Sequence, residues 1–369
     1  MKFSCEKHLL QAAVNTASRA TATKSTIPAL EGILIEAGEK VKFTGYDLKE
    51  GIYTAITTDV QEPGSAVLGA RILGEIVRSL PDGVVTLSVE KGTLALIKCG
   101  KAEFSIIGTA AEDYPEIQPV EEGFSFSLEQ KTLKSIINQT NFAVSSNESR
   151  PVYTGSLFEI EQGTLNVVSV DGYRLALRRE FLKDTSDSKS FIVPGTALSD
   201  VEKICADSDD KVIITVGAKH IRFSFGETVL ISRRLEGEFL NYKRSLPESF
   251  NTYAIVDRGE FQRIVERVSL MIDDKVKSPL RCKFTDDGIE LLCVTSLGRA
   301  EDSISTNVSG SALEIGFNNR YLLDAVKAAS AEKLKICLGS GTSPCIIVPE
   351  NEEGSFLYMI LPVRLKAGE

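Results

Sequence analysis

The sequence is poor in the residue patterns that support catalysis. Histidine occurs only twice in 369 residues, at His8 and His220. Neither belongs to a motif that would pair it with a serine or cysteine nucleophile. Gly-rich phosphate loops, the GxSxG nucleophile motif and the HExxH metal motif are also missing. Because the common catalytic motifs are absent, we expect a non-enzyme with no catalytic residues.

Cysteine pairs and long apolar runs are missing as well. The seven cysteines form no CxxC pair, which predicts buried, reduced thiols and no metal site. No run of 18 apolar residues is present, and the start, Met1-Lys2-Phe3-Ser4-Cys5-Glu6-Lys7, carries charge where a signal peptide needs an apolar stretch. We therefore expect a cytoplasmic protein without cofactor, metal or membrane association.

Paired carboxylates are the remaining feature that could indicate an enzyme. They occur at Asp273-Asp274, Asp286-Asp287 and Glu352-Glu353, all in predicted turns. Acid–base pairs need different, partly buried environments, so solvated turn residues are the favoured interpretation. A β-rich enzyme remains one rival hypothesis, and a repeat scaffold that binds only proteins is another.

A strand that leads into an amphipathic helix is present three times. Apolar residues follow each strand at i, i+3 and i+4, the spacing of one helix face. The three sets are Phe3–Cys5 with Leu10, Ala13 and Val14; Phe124–Leu128 with Leu133, Ile136 and Ile137; and Tyr253–Val256 with Phe261, Ile264 and Val265. The repeat is as long as a domain, which predicts three tandem domains over 1–120, 123–245 and 247–369.

Each copy contains a second unit of the same kind, so one domain is two strand-helix-strands units. The six predicted helices span 6–20, 70–80, 128–142, 196–206, 258–271 and 319–330. A shared landmark is predicted at Asp47, Asp171 and Ser296. Sheets with one helix-bearing face make an α+β fold. Three equivalent surfaces favour head-to-tail association, which closes into a ring or grows into a filament.

Positive charge is concentrated on the predicted helices. They carry 12 Lys and Arg against 8 Asp and Glu, although the whole chain has a net charge of −9. Ordinary solvated helix faces are one interpretation. The other is that all helices face one polyanion while strands and loops face water.

Several motifs together resemble the bacterial sliding clamps, the beta subunits of DNA polymerase III. They are Val170-Asp171-Gly172-Tyr173-Arg174-Leu175, Glu238-Phe239-Leu240-Asn241-Tyr242 and the ending Leu361-Pro362-Val363-Arg364-Leu365, in addition to the triplicated domain. The resemblance covers essentially the whole chain. It implies a head-to-tail homodimeric ring of DNA-clamp domains, with helices inside around double-stranded DNA and sheets outside.

The resemblance also implies a mechanism and partners. A closed ring stays on DNA by topology and needs only weak, sequence-independent phosphate contacts. Tethering a polymerase to the ring makes its rebinding intramolecular, which produces processivity. The expected partners are the DNA polymerase III alpha subunit, the clamp loader, other polymerases and repair factors, all bound through short peptides.

The resemblance places a partner-peptide pocket between the second and third domains. Its implied residues are Arg150, Tyr153, Gly172, Tyr173, Arg174, Leu175, Leu240, Asn318, Tyr321, Met359, Leu361, Pro362, Val363 and Arg364. For Leu175, Leu240 and Leu361, plain core packing is the alternative. Tyr173 stands where many members have His, and Leu240 where many have Pro, so we expect the same peptide class with shifted affinity. The tail Lys366–Glu369 extends past the usual end.

The remaining implied residues concern DNA and the dimer interface. The DNA-facing set is Lys7, Lys24, Arg71, Arg78, Lys131, Lys134, Asn147, Arg263 and Arg267. Gly195-Thr196 stand where members often carry basic residues, so no contact is expected there. At the dimer interface, Phe104 of one subunit is expected to meet Leu270 and Met271 of the other. Ordinary core and helix-face positions are the alternatives for these three.

Overall fold

The computed structural model describes residues 1–90, 93–120, 123–182, 188–272, 278–351 and 355–365. The predicted turn pairs Asp273-Asp274 and Glu352-Glu353 and the tail Lys366–Glu369 lie outside the described residues. Asp286-Asp287 is described, and it occupies an exposed turn between two strands, as predicted.

Six α-helices occur in the described residues. In chain order they are α1 (Lys7–Ala17), α2 (Ala70–Ser79), α3 (Gln130–Thr140), α4 (Gly195–Ile204), α5 (Arg258–Ser269) and α6 (Asn319–Ala328). All six were predicted. Each is shorter than its predicted span, and the difference is largest for α1 and α3, where a 3₁₀ turn at Ser18–Ala20 and at Asn141–Ala143 replaces the end of the predicted helix.

The strands outnumber the helices in the described part of the chain. The first domain contains β1 (Lys2–Glu6), β2 (Gly32–Ala37), β3 (Val41–Tyr46), β4 (Glu50–Ile56), β5 (Asp59–Glu62), β6 (Gly64–Gly69), β7 (Val84–Val89), β8 (Leu94–Cys99) and β9 (Ala102–Ile107). The second contains β10 (Phe124–Glu129), β11 (Gly155–Glu161), β12 (Thr164–Val170), β13 (Arg174–Phe181), β14 (Lys189–Pro194), β15 (Lys211–Val216), β16 (His220–Phe225) and β17 (Thr228–Arg233). The third contains β18 (Thr252–Asp257), β19 (Leu280–Thr285), β20 (Gly288–Thr295), β21 (Gly298–Ile304), β22 (Val308–Gly310), β23 (Leu313–Phe317), β24 (Lys333–Leu338), β25 (Cys345–Pro349) and β26 (Phe356–Ile360).

The chain divides into two compact units. The first comprises Met1–Leu133 and Asp200–Arg234, and the second comprises Lys134–Ser199 and Leu235–Glu369. The first unit has sheets of order β5-β1-β7-β8-β9 and β10-β15-β16-β17-β4-β3-β2-β6. The second has sheets of order β14-β11-β12-β13-β26-β25-β24-β18-β22 and β21-β20-β19-β23.

Two of these sheets join consecutive copies of the repeat. In the first unit, β4 of the first copy pairs antiparallel with β17, the last strand of the second copy. In the second unit, β13 of the second copy pairs in the same way with β26, the last strand of the third copy. The same two positions in the repeat therefore form both junctions.

Short strands and single bridges shield several outer strands of the four sheets. The segment after each last strand makes one isolated bridge to the strand that precedes the second helix: Val67 with Thr109, Ile192 with Leu235, and Gly316 with Val363. The sequence did not predict β5 and β22, which extend the sheets beside β1 and β18. In the described residues, β9, β10 and β21 each pair with one strand and are covered by no further strand or bridge.

The apolar positions used to predict the repeat form the cores. Leu10, Ala13 and Val14 are buried in the first unit, and Phe261, Ile264 and Val265 are buried in the second. Burial of one such large side chain contributes roughly 1.5–3 kcal/mol. The periodicity of the sequence therefore identified the packed helix faces correctly. None of the described helices has the length and apolar character that a membrane span requires.

Candidate functional site

A tight turn presents the most exposed aromatic side chain of the predicted pocket. Asp171 Oδ1 accepts hydrogen bonds from the backbone N–H of Tyr173 (2.9 Å) and Arg174 (3.0 Å), which closes the turn between β12 and β13. Gly172 has φ +93°, a conformation that L side chains rarely adopt, and this explains the glycine. The turn leaves Tyr173 62% exposed in the second unit.

The guanidinium of Arg174 ties this turn to α6. It donates to Asp171 Oδ2 (2.9 Å), Asp324 Oδ2 (2.6 Å) and the Phe142 carbonyl (2.7 Å). The same group lies over the Tyr321 ring, 4.5 Å from its centroid. Only 11% of the Arg174 side chain is exposed, so its charge is largely desolvated but fully paired. Arg174 therefore acts as a structural support, because little of its charge reaches solvent.

Helix α6 begins at this site and supplies a second aromatic ring. Asn318 caps the helix by accepting from the backbone N–H of Arg320 (3.0 Å) and Tyr321 (3.4 Å). Tyr321 stacks against Tyr173 with ring centroids 6.2 Å apart. Burial, followed by the nearby Asp171 charge, raises the pKa of Tyr321. The two rings form one aromatic wall.

The C-terminal segment lies along the same turn. The Leu361 N–H donates to the Tyr173 carbonyl (2.8 Å), and the Val363 N–H donates to the Gly316 carbonyl (2.8 Å). A Cβ on Gly316 would lie 2.8 Å from the Val363 carbonyl oxygen, a backbone atom, so this close approach requires glycine. Leu361, Pro362 and Val363 remain half-buried, and Arg364 is exposed.

Apolar side chains form the floor beside these groups. Leu175 and Met359 belong to one buried cluster, against which Tyr153 packs with Phe239. The Tyr153 and Phe239 rings meet edge to face at 5.5 Å. Leu240 follows Phe239 and is 41% exposed.

Tyr242 holds the segment that presents Leu240. Its ring is buried, its hydroxyl donates to Glu159 Oε2 (2.7 Å), and its N–H donates to the Leu240 carbonyl (2.8 Å). Burial, followed by the hydrogen bond to Glu159, raises the pKa of Tyr242 well above its ordinary value. The hydroxyl therefore keeps its proton and continues to anchor the segment at neutral pH.

Direct contacts thus join most of the predicted pocket residues in the second unit. Arg150 is exposed, and its carbonyl accepts from the Tyr153 N–H (3.0 Å), so it borders the aromatic part of the floor. Asp324 and Phe142, which were not predicted from the sequence, also contact Arg174. The tertiary fold brings both residues to Arg174, and no local sequence motif predicts these contacts.

The predicted DNA-facing cations differ in how available they are. In the described residues, Lys24, Arg71, Arg78 and Arg263 are exposed and form no ion pair, and Asn147 is exposed in its loop. Lys131 pairs with Asp209, and Arg267 pairs with Asp302 at 2.6 Å. Lys134 is half-buried.

Lys7 is poorly placed for a polyanion. Its amino group donates to the Leu80 carbonyl at the end of α2 and lies 3.5 Å from Asp82. Only 16% of its side chain is exposed. A cation at a helix C-terminus satisfies carbonyl groups and the helix dipole, so Lys7 has a structural role here.

The positive charge of the helices is confirmed with the observed helix bounds. The six helices carry 11 Lys and Arg against 6 Asp and Glu. Several of these cations are paired, among them Lys131, Lys203, Arg267 and Lys327. Exposed pairs of this kind contribute little, at most about 1 kcal/mol, so a polyanion can compete with them.

The residues predicted at the dimer interface lie in both units. In the first, Phe104 is half-buried in the edge strand β9, where it packs against the core. In the second, Leu270 is 78% exposed just after α5, and Met271 is half-buried against the core. Two further apolar residues, Ile107 and Leu297, are 82% and 68% exposed, and neither was predicted to lie at the interface. The alternation of apolar and polar residues in the sequence does not show which apolar residues near an edge strand remain exposed.

Comparison with protein-family models gives three consecutive matches. Residues 1–118 match the N-terminal domain of the DNA polymerase III beta subunit, residues 127–241 its central domain, and residues 243–364 its C-terminal domain. The beta sliding clamp of Staphylococcus aureus is 32% identical over 375 residues, covering 99% of both chains.

Solved structures agree over the whole chain. The DNA polymerase sliding clamp of Bacillus subtilis has a TM-score of 0.93 and 31% identity, covering 99% of this chain and 100% of that one. The DNA polymerase beta subunit of Streptococcus pyogenes has a TM-score of 0.92 and 29% identity with the same coverage. The three-domain sliding-clamp fold predicted from the sequence is therefore confirmed. The chain belongs to the DNA polymerase III beta subunit family, the sliding clamps, which are non-catalytic processivity factors.

Proposed function

We propose that the protein works as a head-to-tail homodimeric ring that encircles duplex DNA in the cytoplasm. Within the ring, we propose domain limits of 1–120, 123–245 and 247–369, which the ranges of the three family models support. The observation that carries the dimer is the repeated sheet junction. The chain makes this junction twice, through β4 with β17 and β13 with β26, and leaves β21 and β9 as the corresponding third pair.

The repeat also predicts the register of this third junction. Ile52 faces Leu230 in the first junction, and Ala176 faces Tyr358 in the second. Within the repeat, Ala300 of β21 is equivalent to Ile52 and Ala176, and Phe104 of β9 is equivalent to Leu230 and Tyr358. The third junction would therefore place Ala300 of one subunit opposite Phe104 of the other. The two strands then pair antiparallel, which removes both open edges.

The apolar surface supports this pairing. The second junction uses a hydrogen bond from Leu361 to Tyr173. The equivalent positions of the third pair are Ile107 and Leu297, two of the most exposed apolar side chains. A partner that covers these two side chains and Leu270 would bury apolar surface, which stabilises the contact by roughly 25 cal/mol per Å². Three exposed apolar side chains at the proposed contact are better explained by a partner than by solvent.

DNA would be held without sequence recognition. Exposed cations on the helices, with Lys24 and Asn147 in loops, supply phosphate contacts, and we omit Lys7 from this set because its amino group is engaged at α2. Weak and distributed phosphate contacts permit sliding, whereas contacts to base edges would oppose it. The ring, rather than affinity, keeps the protein on DNA.

The groove of the second unit would bind the partners. Tyr173, Tyr321, Leu240, Met359 and the segment 361–364 offer an apolar surface with a few polar groups, which suits a short extended peptide with apolar anchors. We propose that the DNA polymerase III alpha subunit, the clamp loader, other polymerases and repair factors use it in turn.

Reversing two exposed helix charges should weaken binding to a short linear duplex. With Arg78→Glu and Arg263→Glu, we expect the affinity at low salt to fall about tenfold or more, equally for unrelated DNA sequences, because phosphate contacts are lost. Fluorescence anisotropy with a labelled duplex measures this. The matched control is Lys189→Glu with Lys219→Glu, an equal change of charge at exposed positions outside the helices. Equal affinity of the two double variants would contradict the proposed DNA surface.

A further inference from the structure

The first sheet junction contains a buried carboxyl group without a partner. Glu50 begins β4 opposite Ser232 of β17, and only 8% of the residue is exposed. Its Oε1 atom is fully buried and accepts no hydrogen bond in the described structure. A buried, unpaired carboxylate is costly unless it binds a proton or a cation.

Two other carboxyl groups, those of Asp47 and Asp200, interact electrostatically with Glu50. Asp47 Oδ1 accepts from the backbone N–H of Lys49 (2.9 Å) and Glu50 (2.7 Å), which closes the turn before β4. Asp200 lies on α4, and both aspartates disfavour a charge on Glu50. The cations at the cluster are Arg19, 3.4 Å from Asp200, and Lys203, 3.7 Å from the same oxygen. Both contact Asp200, and neither pairs with Glu50.

The second junction provides an internal comparison. Asp171 closes the same turn there, and Arg174 begins β13 as Glu50 begins β4. Asp324 is the sixth residue of α6, as Asp200 is the sixth residue of α4. The second junction thus holds a guanidinium between two aspartates, and the first holds a third carboxyl group in its place.

The surroundings of Glu50 favour a bound proton over a bound metal ion. No group of three His, Cys, Asp or Glu residues in the described chain is arranged to hold a metal ion. The side chain of Ile117 packs against Gly51, where an added Cβ would lie 2.6 Å from it, and so covers the strand beside Glu50. Burial, followed by the charges of Asp200 and Asp47, raises the pKa of Glu50 to about 8.

We propose that Asp47, Glu50 and Asp200 form a proton-binding site in the junction between the first two repeats, with the proton carried by Glu50. When Glu50 is neutral, the first junction does not hold three adjacent negative charges. The guanidinium of Arg174 has the same effect in the second junction, where it lies between two aspartates. Loss of the proton leaves three carboxylates beside the two cations that already contact Asp200. A rise in pH through the neutral range therefore weakens this junction and leaves the second junction unchanged.

The direction of the pH effect follows from the two states of Glu50. Its pKa rises from an ordinary 4.5 to about 8 in the folded protein, so the folded state binds more protons between these values. Stability therefore falls as pH rises from 4.5 to 8 and is not lowered further by this group above that range. An uncharged isostere removes this dependence.

The infrared spectrum of the whole protein at pH 7 tests the proposal directly. A protonated carboxyl has a carbonyl band that ionised surface carboxylates lack. We expect this band in the wild type at pH 7, its loss by pH 9, and its absence at pH 7 from Glu50→Gln. The control Glu62→Gln, at an exposed carboxyl, should keep it. Absence of the band from the wild type, or its persistence in Glu50→Gln, would overturn the assignment.

Thermal unfolding provides the second readout. At pH 8.5 both Glu50→Gln and Glu50→Arg should unfold at a higher temperature than the wild type, the latter because it rebuilds the arrangement around Arg174. At pH 5.5 the advantage of Glu50→Gln should largely disappear. A difference from the wild type that is the same at both pH values would indicate a packing effect and would contradict the proton site.

Discussion

Replacing Leu270 and Met271 with glutamate is expected to convert a dimer into a monomer. Leu270 is largely exposed and Met271 half-buried in the single chain. In the proposed dimer both face Phe104 of the other subunit, where two new charges would be buried without partners. Each such charge costs several kcal/mol, enough to dissociate the interface at micromolar concentration. Sedimentation analysis measures the mass.

Two further variants make this result specific. Ile107→Glu changes an exposed residue on the opposite side of the same contact, so it should also give monomers with an unchanged far-UV spectrum. Ile213→Glu replaces an apolar residue that is 49% exposed in β15, away from the proposed contact, and should remain dimeric. A dimeric Ile107→Glu protein would show that β9 and β21 do not form the third junction.

Tyr173→Ala combined with Leu240→Asp is expected to abolish binding of a partner peptide. Tyr173 forms the aromatic wall with Tyr321, and Leu240 is the exposed apolar group beside the floor. Loss of one large anchor from a groove costs about 2 kcal/mol or more, so we expect the Kd to rise at least a hundredfold for the pair. Calorimetry with a clamp-binding peptide of the polymerase alpha subunit measures this change.

The surface location of both side chains makes a folding defect easy to exclude. The double variant should keep the mass and the unfolding temperature of the wild type. Phe181→Ala is a suitable control, because Phe181 is 81% exposed on β13 and lies outside the predicted groove. Removing Leu361–Leu365 should also abolish binding, but it uncovers β23 by deleting the bridge from Val363 to Gly316. Unaltered peptide affinity in the double variant would remove the proposed groove.

The sequence predicted those features that depend on local periodicity. Each helix was found because residues such as Leu10 and Val14 recur at the helical spacing, and such spacing directly reports burial. The shared landmark was placed less well in the third copy. There the Oγ1 of Thr295 accepts from the Leu297 N–H (3.1 Å), as Asp171 does for Tyr173, so Thr295 and not Ser296 is the equivalent residue. A threonine in place of an aspartate hid the correspondence.

The parts of the site that the sequence did not reveal depend on distant strands and helices. Arg174 is held by Asp324, which lies on a helix of the next repeat, and no local pattern links the two residues. The sheet junctions are similar, since the pairing of β13 with β26 unites strands from different repeats. The contrast between Glu50 and Arg174 depends on strand pairing between repeats, which places the two residues at equivalent ends of the two junctions.

Retention on DNA tests the central proposal most directly. The protein is loaded onto a nicked circular plasmid by its clamp loader, and the DNA-bound fraction is then isolated by gel filtration. A closed ring that slides should remain on the circle and should be lost within minutes after a single cut linearises the plasmid, because it can leave over the ends. Equal retention on the two forms, or equal loss from both, would contradict a ring that encircles DNA.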